Sequence, residues 1–426
     1  MGIRNKIMNT NKTLFPILLV ILCMFSPSCQ PNHEGNKRKA PPAANGDPPG
    51  KPIYRVYMEN SASMDGYVKG VTNFETTIYN YLIDIKNYNL ANEIRLFYIN
   101  SDTVYFGNNI HEYIGGLEPD EFRQRRGNRG STDIANMFDT LLKLTDSRTV
   151  SIFISDCIFS PGSKQSAADF LEQQQAKIKD NFWKKLREMQ MITAVYQLES
   201  KFAGRYFNYL DSPTPINQDR PYYIWLIGKK NHVLNLVNTV QKASIHNGVN
   251  NYYYLFPPID HIDYMVVNNH RIGTFRRDKS NPKTSINSAR IESKGKNAGK
   301  FGFAIGVDLN QYIELLGDDY LLKVSNYAYN RNYTLEVVRS QTPGYTHLLK
   351  LWTKKPLNEK VTIRLTRSIP DWVFKSTTFD DRIITHASQQ DKTYGFQHIV
   401  AGVHDAYHKF SNNDSTIFSA TVSVNK

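Results

Sequence analysis

The chain has 426 residues, more than one ordinary domain needs, so two domains are expected after any leader. Hydrophobic residues make up 40% and charged residues 21%, which excludes a disordered chain and describes one that buries a core. The formal charge of +13 favours anionic partners or surfaces and carries no information about fold.

The chain opens with Arg4, Lys6 and Lys12, followed by an apolar run over residues 14–25. That run is too short to span a bilayer and has the length of a signal-peptide core. Ser26-Pro27-Ser28-Cys29 follows and resembles the lipobox of bacterial lipoproteins, with Ser28 in the small position before the cysteine. The resemblance implies cleavage after residue 28 and acylation of Cys29, with an ordinary cleaved signal as the alternative. Resemblance to lipoproteins with Gln rather than Asp after the cysteine, here Gln30, implies lipid anchoring in the outer membrane of a bacterial cell envelope, with the periplasmic or surface face left open. Cleavage removes three basic residues and no acidic ones, so the charge falls from +13 to +10. Only Cys157 then remains as a free thiol, so no internal disulfide forms and stability rests on the core. Residues 29–51 are rich in Pro, Gly, Asn and Lys and read as a flexible tether.

Residues 54–58 alternate as a strand that stops in Glu59-Asn60-Ser61-Ala62-Ser63. Phe74, Ile78, Tyr81, Leu82 and Ile85 recur at helical spacing and predict a helix over 72–87. Residues 93–100 read as a strand and 101–129 as irregular, with Arg123, Arg125, Arg126 and Arg129 clustered there. Gly130-Ser131-Thr132-Asp133 opens a helix marked by Ile134, Phe138 and Leu141. The apolar run 149–155 is expected of a central parallel strand and stops at Asp156. A long helix is predicted over 166–189, strands over 191–198 and 221–228, and a helix over 232–240. This alternation predicts an α/β fold over 52–245, a doubly wound and mainly parallel sheet whose ligand crevice lies at the carboxyl ends of its strands.

Beyond residue 245 the pattern changes. Residues 271–300 carry nine Lys or Arg against Asp278 and Glu292 and read as a flexible loop within a basic interdomain segment, 246–300. Short strands at 301–309, 320–324, 333–339, 346–353 and 361–366 predict a smaller β-sandwich domain of immunoglobulin-like type over 301–426. A helix with Phe396, Ile399, Val400, Val403, Tyr407 and Phe410 on one face and a last strand at 417–424 complete it.

Glu59, Ser61 and Ser63 offer a carboxylate and two hydroxyls from one short loop, a set of hard oxygens suited to Mg²⁺ or Ca²⁺. Taken with Thr132 at a helix start and Asp156 at the end of an apolar strand, the first half resembles a von Willebrand factor type A domain. There the family carries a metal-ion-dependent adhesion site, and Glu59 stands where the family has Asp. The resemblance implies that Glu59, Ser61, Ser63, Thr132 and Asp156 hold a divalent ion with one position open to a carboxylate from a protein partner. The longer Glu59 favours Ca²⁺ over Mg²⁺, or leaves the fold without the metal. Arg123, Arg125, Arg126 and Arg129 are candidates to recruit an acidic partner, or a solvated loop. The sequence therefore reads as a membrane-anchored binding protein, not an enzyme, and nucleic acid is not an expected partner. The alternatives are a metal-free scaffold that binds through its β-rich half, and an envelope hydrolase using Glu59 and Asp156 as an acid/base pair.

Overall fold

The computed structural model describes residues 50–70, 72–130, 133–161, 166–242, 245, 248–258 and 262–426. The signal segment, Cys29, most of the tether and Thr132 lie outside the described residues. No helix among the described residues is long and apolar enough to cross a membrane.

The first half alternates strands and helices: β1 (Ile53–Glu59), α1 (Asn73–Asn87), β2 (Glu93–Ile99), β3 (Thr103–Gly107), α2 (Ile110–Gly115), α3 (Pro119–Arg123), α4 (Ile134–Leu144), β4 (Thr149–Ser155), α5 (Ala167–Glu188), β5 (Met191–Phe207), β6 (Pro213–Lys229), α6 (Lys230–Thr239) and β7 (Asn251–Leu255). Local chemistry explains these elements. Every residue of β4 is buried, as a strand covered on both faces requires. α1 buries Phe74, Ile78, Tyr81, Leu82 and Ile85 on one face. The side chain of Asp133 caps α4 by accepting the Asn136 amide at 3.0 Å.

The strands form a seven-stranded sheet in the order β3-β2-β1-β4-β6-β5-β7. β1 pairs in parallel with both β2 and β4, while β3, β6, β5 and β7 are joined by antiparallel pairings. The sheet is thus mixed, with a parallel centre, rather than mainly parallel. The reason lies between residues 207 and 213. A five-residue connection cannot carry a crossover helix, so β5 and β6 close as a hairpin paired from Met191↔Lys229 to Phe207↔Pro213. The hairpin projects beyond the rest of the sheet, because β4 pairs with β6 only over 223–228. Residues 101–129, expected to be irregular, hold β3, α2 and α3.

The second half comprises β8 (Tyr264–Ile272), β9 (Thr274–Arg277), β10 (Ser285–Arg290), β11 (Phe301–Val307), α7 (Asn310–Leu316), α8 (Asp318–Leu322), β12 (Tyr327–Tyr329), β13 (Thr334–Arg339), β14 (His347–Thr353), β15 (Glu359–Thr366), α9 (Asp371–Lys375), β16 (Thr377–Thr378), β17 (Thr393–Tyr394), α10 (Phe396–Phe410) and β18 (Thr416–Val424). A four-stranded sheet, β13-β14-β11-β8, faces a five-stranded one, β12-β15-β18-β10-β9. Tyr264 of β8 meets Phe418 of β18 across the layer, with ring centroids 6.2 Å apart. Two expectations are corrected. Residues 320–324 fall in and just after α8, not in a strand, because Gly317 at φ +75° restarts the chain as a helix whose first turn holds Asp318 and Asp319. The basic stretch 271–300 is not a loop but holds β9 and β10, with Gly273 at φ +73° turning β8 into β9.

The described residues form one compact unit, and its core is continuous from β1 to β18. α10 reaches from the β-rich half onto the α/β half. Phe396 stacks on Tyr223 at 4.0 Å, and the Tyr407 hydroxyl lies 2.9 Å from the Thr193 hydroxyl. Gly402 allows α10 to approach α5. A Cβ there would come within 2.8 Å of the Gln175 carbonyl oxygen and 2.9 Å of Ile178. Gly402→Val is expected to cost about 1–3 kcal/mol through overpacking, although valine suits a helix better than glycine. Urea unfolding followed by circular dichroism checks this; an unchanged midpoint would mean that the helices separate freely.

Candidate functional site at the carboxyl ends of the parallel strands

β1 lies between β2 and β4, so the chain leaves β1 toward one edge of the sheet and later returns on its other flank. Such a reversal opens a crevice beyond the strand ends. β1 delivers Glu59 there and β4 delivers Asp156, and the register Met58↔Ile154 sets the two strand ends at one level. Glu59, Asn60 and Asp156 are fully buried, and Ser61 and Ser63 are 2% and 8% exposed.

The loop after β1 is held on three sides. The Asn60 amide donates to the Ile99 carbonyl at 2.8 Å, and its side chain donates to the Phe122 carbonyl at 2.6 Å. Arg129 donates to the carbonyl of Asn60 at 3.0 Å and that of Ser61 at 3.1 Å, and also to Asp65. Beneath the loop Gly66 lies against the Phe202 ring, where a Cβ would be 2.3 Å from the nearest ring atom. The backbone is thereby set so that the Ser61 and Ser63 hydroxyls meet at 2.9 Å. Two oxygens on adjacent corners of a Mg²⁺ octahedron, with bonds of about 2.1 Å, stand about 3 Å apart.

The Asp156 carboxyl completes this oxygen cluster. Its Oδ1 accepts the Ile158 amide at 3.1 Å. Its Oδ2 is buried without a hydrogen-bond partner among the described residues. Burial pushes this carboxyl up to about 6, against the pull of the Ser63 hydroxyl, the Ile158 amide and the Arg220 charge. A buried carboxylate with one oxygen left without a hydrogen bond fits a bound cation. The remaining donors are hydroxyls: among the described residues no group of three or more His, Cys, Asp or Glu is placed to hold a metal. Glu59 turns toward β4, where its Oε2 accepts the Ser155 hydroxyl, and that hydroxyl accepts the Cys157 amide at 2.7 Å. Cys157 sits at φ +58°, and its sulfur accepts the Trp225 indole N–H at 3.4 Å. Burial raises the Cys157 thiol far above its ordinary range, so it stays protonated.

The four arginines do different work. Arg129 anchors the β1 loop, and Arg125 stacks on Tyr98 at 4.9 Å. Arg123, with its side chain 51% exposed, pairs with Asp65 at 2.8 Å, and Arg126 is exposed. Two buried charges escaped the reading of the sequence. Arg220 of β6 is 1% exposed; its Nη1 donates to the carbonyls of Gln389 and Gln390 at 3.1 and 3.0 Å, and it stacks on Tyr206 at 4.9 Å. Asp381 is fully buried and accepts the Tyr206 hydroxyl at 2.7 Å and the Tyr209 amide at 3.0 Å. The signal for Arg220 was the alternation along β6, which puts it on the buried face with Ile216 and Tyr222. Asp381 left no such signal.

Compared with family models, with curated proteins and with solved structures, the chain matches none of them.

Proposed function

We propose that this chain is a membrane-anchored binding protein whose α/β half engages a protein partner at a divalent-metal site of von Willebrand A type. The observation that carries the reading is the unpartnered, buried Oδ2 of Asp156, beside two serine hydroxyls spaced as neighbouring ligands. Ser61, Ser63 and Asp156 would hold the ion, with Thr132 and Glu59 as the further candidates. An ion there supplies a positive centre for a partner's carboxylate. The chain's own residues hold the cluster rigid: Arg129 fixes the loop, Asn60 ties it to α3, and Ser155 orients Glu59. Cys29 as the lipid anchor rests on the lipobox-like sequence.

Calorimetry of the mature chain with Mg²⁺, Ca²⁺ or Mn²⁺ tests the site. An ion at a hundredfold excess over its Kd stabilises the fold by about 2.7 kcal/mol. Ca²⁺ or Mn²⁺ is expected to raise the melting temperature more than Mg²⁺, and Ser63→Ala to reduce the rise. Capture of the partner from solubilised membranes should fail in chelator. No response to any of the three ions would leave the scaffold reading, in which Arg220 supplies cationic charge to Asp156.

A further inference from the structure

Beside the β1 loop lies a cleft of about 720 Å³. The projecting part of the β5–β6 hairpin contributes Gly204, Phe207 and Ile216 to its lining. Its rim carries Lys69 from the segment before α1, Arg123 from α3 and Arg205 from β5. Lys69 and Arg205 are exposed and make no ion pair among the described residues. The one acidic side chain in the lining is Asp65, and both its oxygens are taken, one by Arg129 and the other by Arg123. The cleft therefore brings positive charge from three separate elements together with apolar residues of the hairpin.

We infer that this cleft is a docking groove for an acidic polypeptide segment carrying apolar side chains between its carboxylates. The inference rests on the binding reading above and names the partner's chemistry. Charge complementarity selects the occupant. The cations come from three separate elements, so they suit carboxylates spread along a chain better than one compact anion. The apolar lining residues Phe207 and Ile216 give a polypeptide contacts that a sulfated polysaccharide cannot use. Asp65 holds Arg123 in place until a carboxylate from the partner competes for it.

The test is fluorescence anisotropy of the mature chain with a labelled peptide alternating glutamate and leucine, and with its glutamine counterpart. The glutamate peptide should bind more tightly, and increasingly so at low salt. Replacing Lys69, Arg123 and Arg205 together by glutamine should weaken it by about tenfold, three exposed ion pairs being lost. Lys354→Gln, in the turn after β14, should leave binding unchanged. If the loss of Arg123 lowers the melting temperature, the Lys69→Gln/Arg205→Gln variant should still weaken binding. Equal binding of both peptides, an unaffected triple variant, or heparin binding that the peptide cannot displace would each overturn the inference. Chelator separates the two readings. Binding lost in the triple variant but kept in chelator supports the cleft and fails the metal; binding lost in chelator but untouched by the triple variant does the reverse.

Discussion

Asp156→Asn is expected to stabilise the metal-free protein at neutral pH by about 3 kcal/mol and to abolish its response to divalent ions. The first effect follows from linkage. Burial raises the folded-state value of Asp156 from 3.8 to about 6. A carboxyl so raised binds its proton more tightly in the folded chain than in the unfolded one. Its contribution to stability is fully present below about pH 4 and is lost as the pH rises through about 6. The difference between the two values corresponds to about 3 kcal/mol lost by pH 7. Asparagine nearly preserves the shape and carries no charge, so the variant escapes that loss. Guanidinium unfolding in chelator should give nearly equal stabilities at pH 4 and a widening advantage for the variant towards pH 7. With ions present the order should narrow or reverse, because only the carboxylate form gains from a cation. A variant less stable than the parent at pH 7 in chelator would show that the carboxylate is already compensated from within, with Arg220 the nearest source of charge. Such a trade of stability for binding is common at sites that need a buried charge.

Arg220→Met is expected to destabilise the fold by about 3–5 kcal/mol, the range for removing one partner from a buried charged network. Three contacts are lost together. The carbonyls of Gln389 and Gln390 lose their donor, the Tyr206 ring loses the stacked guanidinium, and Asp156 and Asp381 lose the charge that opposes the upward shift of both carboxyls. The loss should be larger at pH 7 than at pH 4, because only ionised carboxylates need the cation. Arg220→Lys keeps the charge without the fork that reaches two carbonyls, so it should fall between parent and Arg220→Met. Adding Asp381→Asn to Arg220→Met should restore part of the stability at neutral pH. Thermal unfolding across that pH range checks the series. A loss below about 1 kcal/mol, in the range of an exposed pair, would mean that water reaches the guanidinium and replaces these contacts.

Much of the architecture was legible because the signals are local. The helical spacing around Phe74 and Ile78 and the unbroken apolar run ending at Asp156 each report the burial of a single element, and the structure places α1 and β4 there. The positions of Glu59 and Asp156 at strand ends were readable in the same way, and the parallel pairing of β1 with β4 sets those ends level. Strand direction was not readable. Leu198, Ser200 and Phe202 continue the alternation of β5, but nothing within that run says that its partner returns through a tight loop rather than a helix. The apolar residues at 320–322 suit a helix or a strand equally, and the turn at Gly317 decided between them. The four arginines look alike in the sequence. Asn60, Asp65 and Tyr98, distant along the chain, divide them into one anchor, one stacked on a ring and two that face solvent. Periodicity by itself determined which residues turn inward within each element. Only the tertiary structure decided which inward residues meet, because those meetings join segments tens to hundreds of residues apart and no local pattern encodes the partner.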